Sequence, residues 1–173
     1  AFDFVGKNTD NGYSVWASNV IYNETMKKYV MYFCTTSSYV KSTLCFATAD
    51  NIEGPYTYVD TILYSGYGKS NISETNLYDV LGKNADISRY LEYGGYNNKE
   101  WPNCIDPAIF TDADGRMWMN YGSWSGGIFL LEIDPTTGYP IYPVDDKDAD
   151  PYYGYRLIGG GHHSAEGPYI QYD

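Results

Sequence analysis

The sequence predicts an all-β protein built from repeated four-strand units. Short apolar or alternating segments recur along the chain between turn-forming residues, as strands do, and no segment has the apolar spacing of a long amphipathic helix. The chain has 173 residues, enough for one domain with a sizeable core. Aromatic residues make up 18% of the chain and hydrophobic residues 43%, a composition that argues against intrinsic disorder.

The first four predicted strands form one antiparallel meander, because only short turns connect them. The second of these strands is rich in Tyr, Val, Met and Phe, which suit a pleated, half-buried surface. The clearest turns lie at 23–27 and 50–55. The four strands are predicted at 15–22, 28–35, 42–49 and 56–63.

The same pattern recurs later in the chain. A shift of 89 residues places 28–32 on 117–121 and the turn at Asn23 on the turn 112–115. Repeated four-strand units are typical of a β-propeller. The second set of strands is predicted at 105–111, 116–123, 127–133 and 153–158, and residues 161–172 begin a third set.

These repeats divide the chain into a blade at 13–63, an insertion loop at 64–103, a blade at 104–158 and the start of a further blade at 161–173. The Gly, Ser, Asn and Tyr content of the insertion predicts a surface loop with at most a short helix near 74–81, and loops of this length are usually functional. About two blades cannot close a ring of at least four. We therefore expect a fragment whose open sheet edges are covered by further blades or by a complementary chain.

Charge and hydropathy exclude two classes of partner. Eleven Lys and Arg stand against 22 Asp and Glu, a net charge of −11, which repels phosphate backbones and anionic lipid, so neither nucleic acid nor membrane is an expected partner. No stretch approaches the roughly 18 apolar residues of a membrane span, and no signal core is visible at the N-terminus. A cleaved export signal would already be gone.

The three cysteines, Cys34, Cys45 and Cys104, are an odd number without metal-site spacing. A hairpin centred between Tyr39 and Val40 would place Cys34 opposite Cys45. A cross-strand disulfide and two reduced, half-buried thiols are both compatible with this spacing.

Two carboxylates, Asp106 and Glu166, occupy matching places at the first strand of successive units. In a propeller this strand lines the central channel, so the two groups can converge on one pocket. Paired carboxylates in unequal environments suit general acid and base catalysis, and combined with aromatic platforms they are typical of glycoside hydrolysis. The alternative is structural, because Asp-Pro and Glu-Gly-Pro are routine turn and strand-entry sequences.

Other polar residues could bind a metal or a ligand. His162 and His163 follow three glycines, and in an extended strand at most one of them would face the channel. The acidic run 145–150 lacks the glycine and terminal Glu of an EF-hand loop and is interpreted as a solvated loop. No metal ligand is predicted within this chain.

Four motifs, in this order and at blade spacing, together resemble glycoside hydrolase family 43, specifically its arabinanase branch. The resemblance covers essentially the whole chain and implies a five-bladed β-propeller that hydrolyses α-1,5-linked arabinan with inversion, in a secreted or periplasmic bacterial protein. The motifs are 16–22, 103–107 with 114–115, 121–128 and 166–170.

The resemblance also implies roles for individual residues. Glu166 matches the general acid, and Asp106 matches the carboxylate that modulates the pKa of the acid and orients substrate. The general base of the family lies in a His-Asp-Pro or similar segment that has no counterpart here. A calcium ion held in the central channel by a histidine of a later blade is expected only in the complete propeller. The expected substrate contacts are Trp16, Tyr39, Ser123, Trp124 and His163.

Two other functions remain open at this stage. One is a xylosidase or exo-arabinofuranosidase of the same family, and the other is a non-catalytic carbohydrate-binding propeller fragment. The leading expectation is arabinan hydrolysis, with arabinan or arabino-oligosaccharide and the missing blades as partners. The isolated chain is expected to be inactive because it lacks the base.

Overall fold

The computed structural model describes residues 1–171 and confirms the all-β class. Strands dominate, and the α-helices among the described residues are single turns. The α-helices are α1 (Phe2–Val5) and α2 (Leu77–Leu81), with 3-10 turns at Ile72–Glu74 and Ser88–Tyr90. The strands are β1 (Ser14–Asn23), β2 (Lys28–Ser38), β3 (Lys41–Ala49), β4 (Thr57–Ser65), β5 (Leu91–Glu92), β6 (Gly95–Tyr96), β7 (Ala108–Thr111), β8 (Met117–Tyr121), β9 (Ile128–Ile133), β10 (Pro140–Ile141) and β11 (Tyr155–Ile158).

The first sheet is the predicted meander, with the order β1-β2-β3-β4 and antiparallel pairing throughout. Its first turn forms because the side chain of Asn23 accepts hydrogen bonds from the backbone N–H groups of Thr25 and Met26, at 3.0 and 2.9 Å. Lys27 then takes a positive φ of 55° before β2 begins. All four strands predicted for this unit are confirmed.

The second sheet has the order β7-β8-β9, and two short strands share the far edge of β9. β10 pairs with residues 132–133 and β11 with residues 128–130. The predicted strand at 105–111 begins only at Ala108, because Asp106 has a left-handed backbone with φ 55° and Pro107 has no N–H to donate. The two-residue strand β10 was not predicted.

The core is one cluster made of residues from both sheets and from the segment 64–103 that joins them. The first strands of the two sheets are adjacent, since the N–H of Ile109 on β7 donates to Oδ1 of Asn19 on β1 at 3.1 Å. The hydroxyl of Tyr32 crosses from β2 to the carbonyl of Gly138 at 2.9 Å. The largest core side chains include Tyr32, Leu44, Phe46, Tyr121, Phe129, Tyr152 and Tyr153.

The segment 64–103, predicted as a surface loop, is partly core, and that prediction is wrong in this respect. Tyr67, Leu77, Tyr90 and Trp101 are buried, and rings of this segment pack against Tyr153. The short helix predicted near 74–81 is confirmed as a 3-10 turn followed by α2.

The acidic run 145–150 is solvated except at its last residue. Asp150 is buried, accepts hydrogen bonds from the N–H groups of Tyr152 and Tyr153 and from the hydroxyl of Tyr90, and pairs with Arg89 at 3.2 Å. Burial raises the pKa of this carboxyl, while its donors oppose that shift. Asp150 therefore attaches the segment 64–103 to the second sheet.

The three cysteines are reduced and buried. Cys34 pairs with Leu44, and Cys45 pairs with Phe33, so the expected opposition of Cys34 and Cys45 is wrong by one residue. A bulge at Ser37 supplies the extra residue and turns the two thiols to opposite faces of the sheet. Of the two alternatives, free thiols are confirmed, although Cys34 and Cys45 are fully buried and not half-buried.

Residues 161–171, predicted to begin a third unit, contain turns but no strand, and Tyr172 and Asp173 lie outside the described residues. Among residues 1–171, no helix has the length and apolarity needed to cross a membrane. The division into propeller blades stays a prediction.

Candidate active site

A cavity of about 770 Å³ opens where five segments meet. They are the start of β1, the hairpin between β2 and β3, the two loops that flank the second sheet at 103–106 and 123–124, and the segment that carries Glu166. Six of the seven predicted site residues line this cavity: Trp16, Tyr39, Asp106, Ser123, Trp124 and Glu166. The chain therefore brings these residues together from three distant parts of its sequence.

Glu166 is held by the loop after β8. The backbone N–H of Trp124 donates to the carbonyl of Ala165 at 2.7 Å, and the indole Nε1 of Trp124 donates to Oε2 of Glu166 at 3.1 Å. The Glu166 side chain is exposed in this chain. The indole therefore binds one carboxylate oxygen of an exposed side chain that lines the cavity.

Asp106 is half-buried and lines the same cavity as Glu166. The backbone just before Asp106 is anchored twice: the N–H of Gly122 donates to the carbonyl of Ile105 at 2.9 Å, and the N–H of Cys104 donates to Oγ of Ser65 at 3.0 Å. The pKa of Asp106 is raised mainly by burial, and the negative charge of Glu166 raises it further. A hydrogen bond from the backbone N–H of Gly167 lowers this pKa and so opposes the shift. The raised pKa of Asp106 thus reflects its burial first, and the charge of Glu166 adds a smaller contribution.

Aromatic rings form the walls of the cavity. Trp16 and Tyr39 are each 57% exposed and Trp124 is 41% exposed, so large ring faces are available to a ligand. Trp16 lies in a bulge of β1, where residues 16 and 17 together oppose Cys34. Bulges often aim a side chain into a site. Here the bulge brings the indole to the cavity.

The prediction for the histidines is wrong in its geometry. Residues 162 and 163 form a turn, in which His162 has a φ of 64°, so the alternation expected of a strand does not apply. His162 contacts the hydroxyl of Tyr39 through Nδ1 at 3.3 Å. His163 is exposed and does not line the cavity.

Nine residues that line the cavity were not predicted as site residues, and three of them carry polar groups of interest: Asn8, Asp10 and Asn103. The amide of Asn8 shapes its loop by accepting the N–H groups of Asp10 and Gly12 at 3.0 and 2.9 Å. Asn103 is 5% exposed, and its Oδ1 has no hydrogen-bond partner among the described residues. Such a group is costly unless a ligand or water satisfies it. The motif 103–107 contained this residue, but only the burial of its amide distinguishes it.

Within residues 1–171, no three His, Cys, Asp or Glu side chains lie close enough together to hold a metal ion. The calcium ion expected for the complete propeller stays a prediction.

The raised pKa of Asp106 predicts a pH-dependent stability. A carboxyl whose folded pKa lies above its unfolded value, about 3.9, stabilises the fold below that value and loses this contribution as pH rises through the folded pKa. The free energy of unfolding of Asp106→Asn, compared with that of the natural chain, should therefore increase as the pH rises from about 3 to about 7. Urea unfolding across this range measures the difference.

Asp112→Asn is the matched control. The indole of Trp118 is the main reason why the pKa of Asp112 is lowered, so its contribution is present at neutral pH and lost as pH falls. The two variants should show opposite slopes of relative stability against pH. Parallel slopes would contradict the assignment for Asp106.

Comparison with known proteins identifies relatives of this chain. No family model matches the chain. The extracellular endo-alpha-(1->5)-L-arabinanase of Thermotoga petrophila is 38% identical over 158 residues, 91% of this chain and 29% of that protein. The extracellular endo-alpha-(1->5)-L-arabinanase 2 of Bacillus subtilis is 36% identical over 160 residues, 92% of this chain and 29% of that protein.

Solved structures agree with the sequence relatives. The endo-1,5-alpha-L-arabinanase of Thermotoga petrophila matches 92% of this chain and 30% of that chain, with a TM-score of 0.68 at 38% identity. The glycoside hydrolase family 43 YxiA protein of Bacillus licheniformis matches 99% of this chain and 32% of that chain, with a TM-score of 0.73 at 34% identity.

The fold and these relatives define the class: the chain is related to glycoside hydrolases. More particularly, it is homologous over nine-tenths of its length to arabinanases of glycoside hydrolase family 43, as the sequence motifs indicated. The chain spans about 30% of the length of these relatives.

Proposed function

We propose that this chain carries the general acid and the orienting carboxylate of an enzyme that hydrolyses α-1,5-linked arabinan. One observation carries the proposal: Asp106 and Glu166 lie on the wall of a single cavity whose other walls include Trp16, Tyr39 and Trp124. Aromatic faces suit the apolar faces of sugar rings. The names of the relatives, which describe extracellular endo-arabinanases, indicate the sugar and the secreted location.

The proposed chemistry uses the exposed carboxyl group of Glu166 in the cavity. A protonated Glu166 donates its proton to the leaving glycosidic oxygen, while a water attacks the opposite face of the sugar and gives a proton to a general base outside this chain. In inverting enzymes the acid and base carboxyls stand roughly 6.5 to 9.5 Å apart to leave room for that water. An ionised Asp106 opposes a second negative charge in the same cavity and can accept hydrogen bonds from sugar hydroxyls.

The remaining parts of the site are proposed to come from outside this chain. The two sheets act as neighbouring blades of a five-bladed propeller, and another blade supplies the general base and the calcium ligand. Large apolar side chains stay exposed on β1 and near the C-terminal end, where further blades would pack. These side chains include Val15, Val20, Tyr22, Leu157, Ile158 and Tyr169.

Reconstitution tests the proposal. The 173-residue chain is assayed alone and after mixing with a polypeptide that supplies the remaining blades, with release of reducing sugar from arabinan as the readout. We expect turnover only in the mixture, because the base lies outside this chain. Robust turnover by the chain alone would overturn that part, and Asp10 would be the first residue to mutate, since it lines the cavity.

Xylo-oligosaccharides are the matched substrates in the same mixture. Preferred cleavage of these would support a xylosidase. Calorimetric binding of arabino-oligosaccharide without any turnover in the mixture would support the non-catalytic carbohydrate-binding alternative.

A further inference from the structure

We propose that the hydroxyl of Tyr39 is a positioning device for Glu166, acting through Ser125 and His162. These three residues are called the Tyr39 clasp. The inference rests on the proposed function, because it takes Glu166 as the general acid. The β2–β3 hairpin would then help to position the carboxylate of Glu166, which lies 127 residues after Tyr39 in the sequence.

The clasp joins three segments at one point. The hydroxyl of Tyr39, at the tip of the β2–β3 hairpin, is hydrogen-bonded to Oγ of Ser125 at 3.0 Å and to Nδ1 of His162 at 3.3 Å. Ser125 is fully buried, and Tyr39 is the described partner of its hydroxyl. The backbone N–H of His162 donates to the carbonyl of Ser125 at 3.0 Å, which closes the cluster.

From the clasp, short connections lead to the acid. Ser125 follows Trp124 directly, and Trp124 holds Glu166 at two points: its N–H binds the carbonyl of Ala165, and its indole binds Oε2 of Glu166. His162 begins the turn that leads to Glu166 four residues later. A displacement of Ser125 or His162 therefore moves either the indole or the backbone that sets the position of the carboxylate.

Backbone strain is concentrated at the same place. Eight described residues other than glycine have a positive φ, and four of them belong to these three segments: Val40, Trp124, Ser125 and His162. Left-handed conformations are disfavoured for such side chains and persist only where the surroundings hold them. The Tyr39 hydroxyl is a contact that can hold them, because it reaches both loops. Without it, we expect both loops to relax.

The ring and the hydroxyl of Tyr39 have separate roles. The ring is 57% exposed and lines the cavity, where it is available to a sugar. The hydroxyl is engaged by Ser125 and His162. Tyr39→Phe keeps the ring and removes only the hydroxyl, so it tests positioning with little change in the stacking surface.

The experiment uses the complete enzyme that contains this chain. Tyr39→Phe is expected to lower kcat on arabinan about 10- to 100-fold with little change in KM, since a misplaced acid affects the transition state more than binding. With an aryl arabino-oligosaccharide that has a nitrophenolate leaving group, the loss should stay below about threefold, because that group needs no proton. Ser125→Ala should show the same leaving-group dependence.

Tyr56→Phe is the matched control. It also removes one tyrosine hydroxyl, which donates to the carbonyl of Ile52 at 2.9 Å outside the cavity, and it should leave both rates unchanged. Hydrogen–deuterium exchange adds a readout that does not depend on activity. Tyr39→Phe should increase deuterium uptake in residues 159–167, and Tyr56→Phe should not.

The outcomes separate the two proposals. Equal losses on both substrates, or unchanged exchange at 159–167, would overturn the clasp as a positioning device. If Glu166→Gln itself shows no leaving-group dependence, the proposed function fails. If Glu166→Gln shows it and Tyr39→Phe does not, the clasp alone fails.

Discussion

Glu166→Gln is expected to slow hydrolysis of unactivated arabinan by the complete enzyme about 10²- to 10⁴-fold, the usual contribution of a general acid. Glutamine keeps the shape of the side chain and an oxygen that can accept the indole N–H of Trp124, which lies 3.1 Å from Oε2 of Glu166. It cannot deliver a proton to the leaving oxygen. The variant therefore removes the chemistry and preserves the contact.

The substrate comparison makes this prediction specific. An aryl glycoside that departs as nitrophenolate needs no proton, so its hydrolysis should be affected far less. Glu53→Gln, an equivalent change in the exposed turn between β3 and β4, should affect neither substrate. Equal losses on both substrates in the Glu166 variant would assign the residue a structural or binding role instead.

The fold was predictable where local chemistry decides it. The first meander followed from four apolar segments and from turns such as that of Asn23, whose own side chain closes the turn. The register of Cys34 and Cys45 was not predictable, because one bulged residue, Ser37, changes the pairing without any marked sequence pattern. Where a single inserted residue moves a side chain to the other face, sequence spacing alone cannot assign the face.

The candidate site was predictable where short motifs carry it. Asp106, Trp124 and Glu166 each stand in a local motif, and the fold brings them to one cavity. The Tyr39 to His162 contact joins residues 123 apart in the sequence, so no local pattern could indicate it. The same applies to Asp150, whose burial in an otherwise acidic and exposed run depends on Tyr90, 60 residues earlier.

The segment 64–103 illustrates the limit of composition. Its Gly, Ser, Asn and Tyr content is typical of a loop, yet several of its tyrosines and Trp101 are packed into the core, where their polar atoms find partners. Nε1 of Trp101 donates to the carbonyl of Arg89 at 2.7 Å, and the hydroxyl of Tyr96 donates to the carbonyl of Pro102 at 2.7 Å. Tyrosine-rich sequences can thus form a core whenever their hydroxyls are satisfied.

Gly127→Ala is expected to destabilise the chain by about 2–5 kcal/mol, a large share of a typical folding free energy of about 5–15 kcal/mol. Gly127 has a φ of 99°, and a Cβ added there would lie 2.0 Å from the carbonyl oxygen of Ile158 and 2.8 Å from Cα of Gly159. Both are backbone atoms, so no side-chain rotation relieves the clash. Either β9 and β11 separate, or the chain between β11 and Glu166 shifts.

Gly115→Ala separates this clash from the cost of a positive φ. Gly115 has a φ of 80°, and a Cβ there would meet no atom within 4 Å, so only the conformational penalty of about 1–2 kcal/mol applies. Urea unfolding of both variants should show a markedly lower midpoint for Gly127→Ala than for Gly115→Ala. Equal midpoints would mean that separating Gly127 from the Ile158–Gly159 backbone does not lower the free energy of unfolding. The segment that carries Glu166 would then not be fixed to the second sheet at this point.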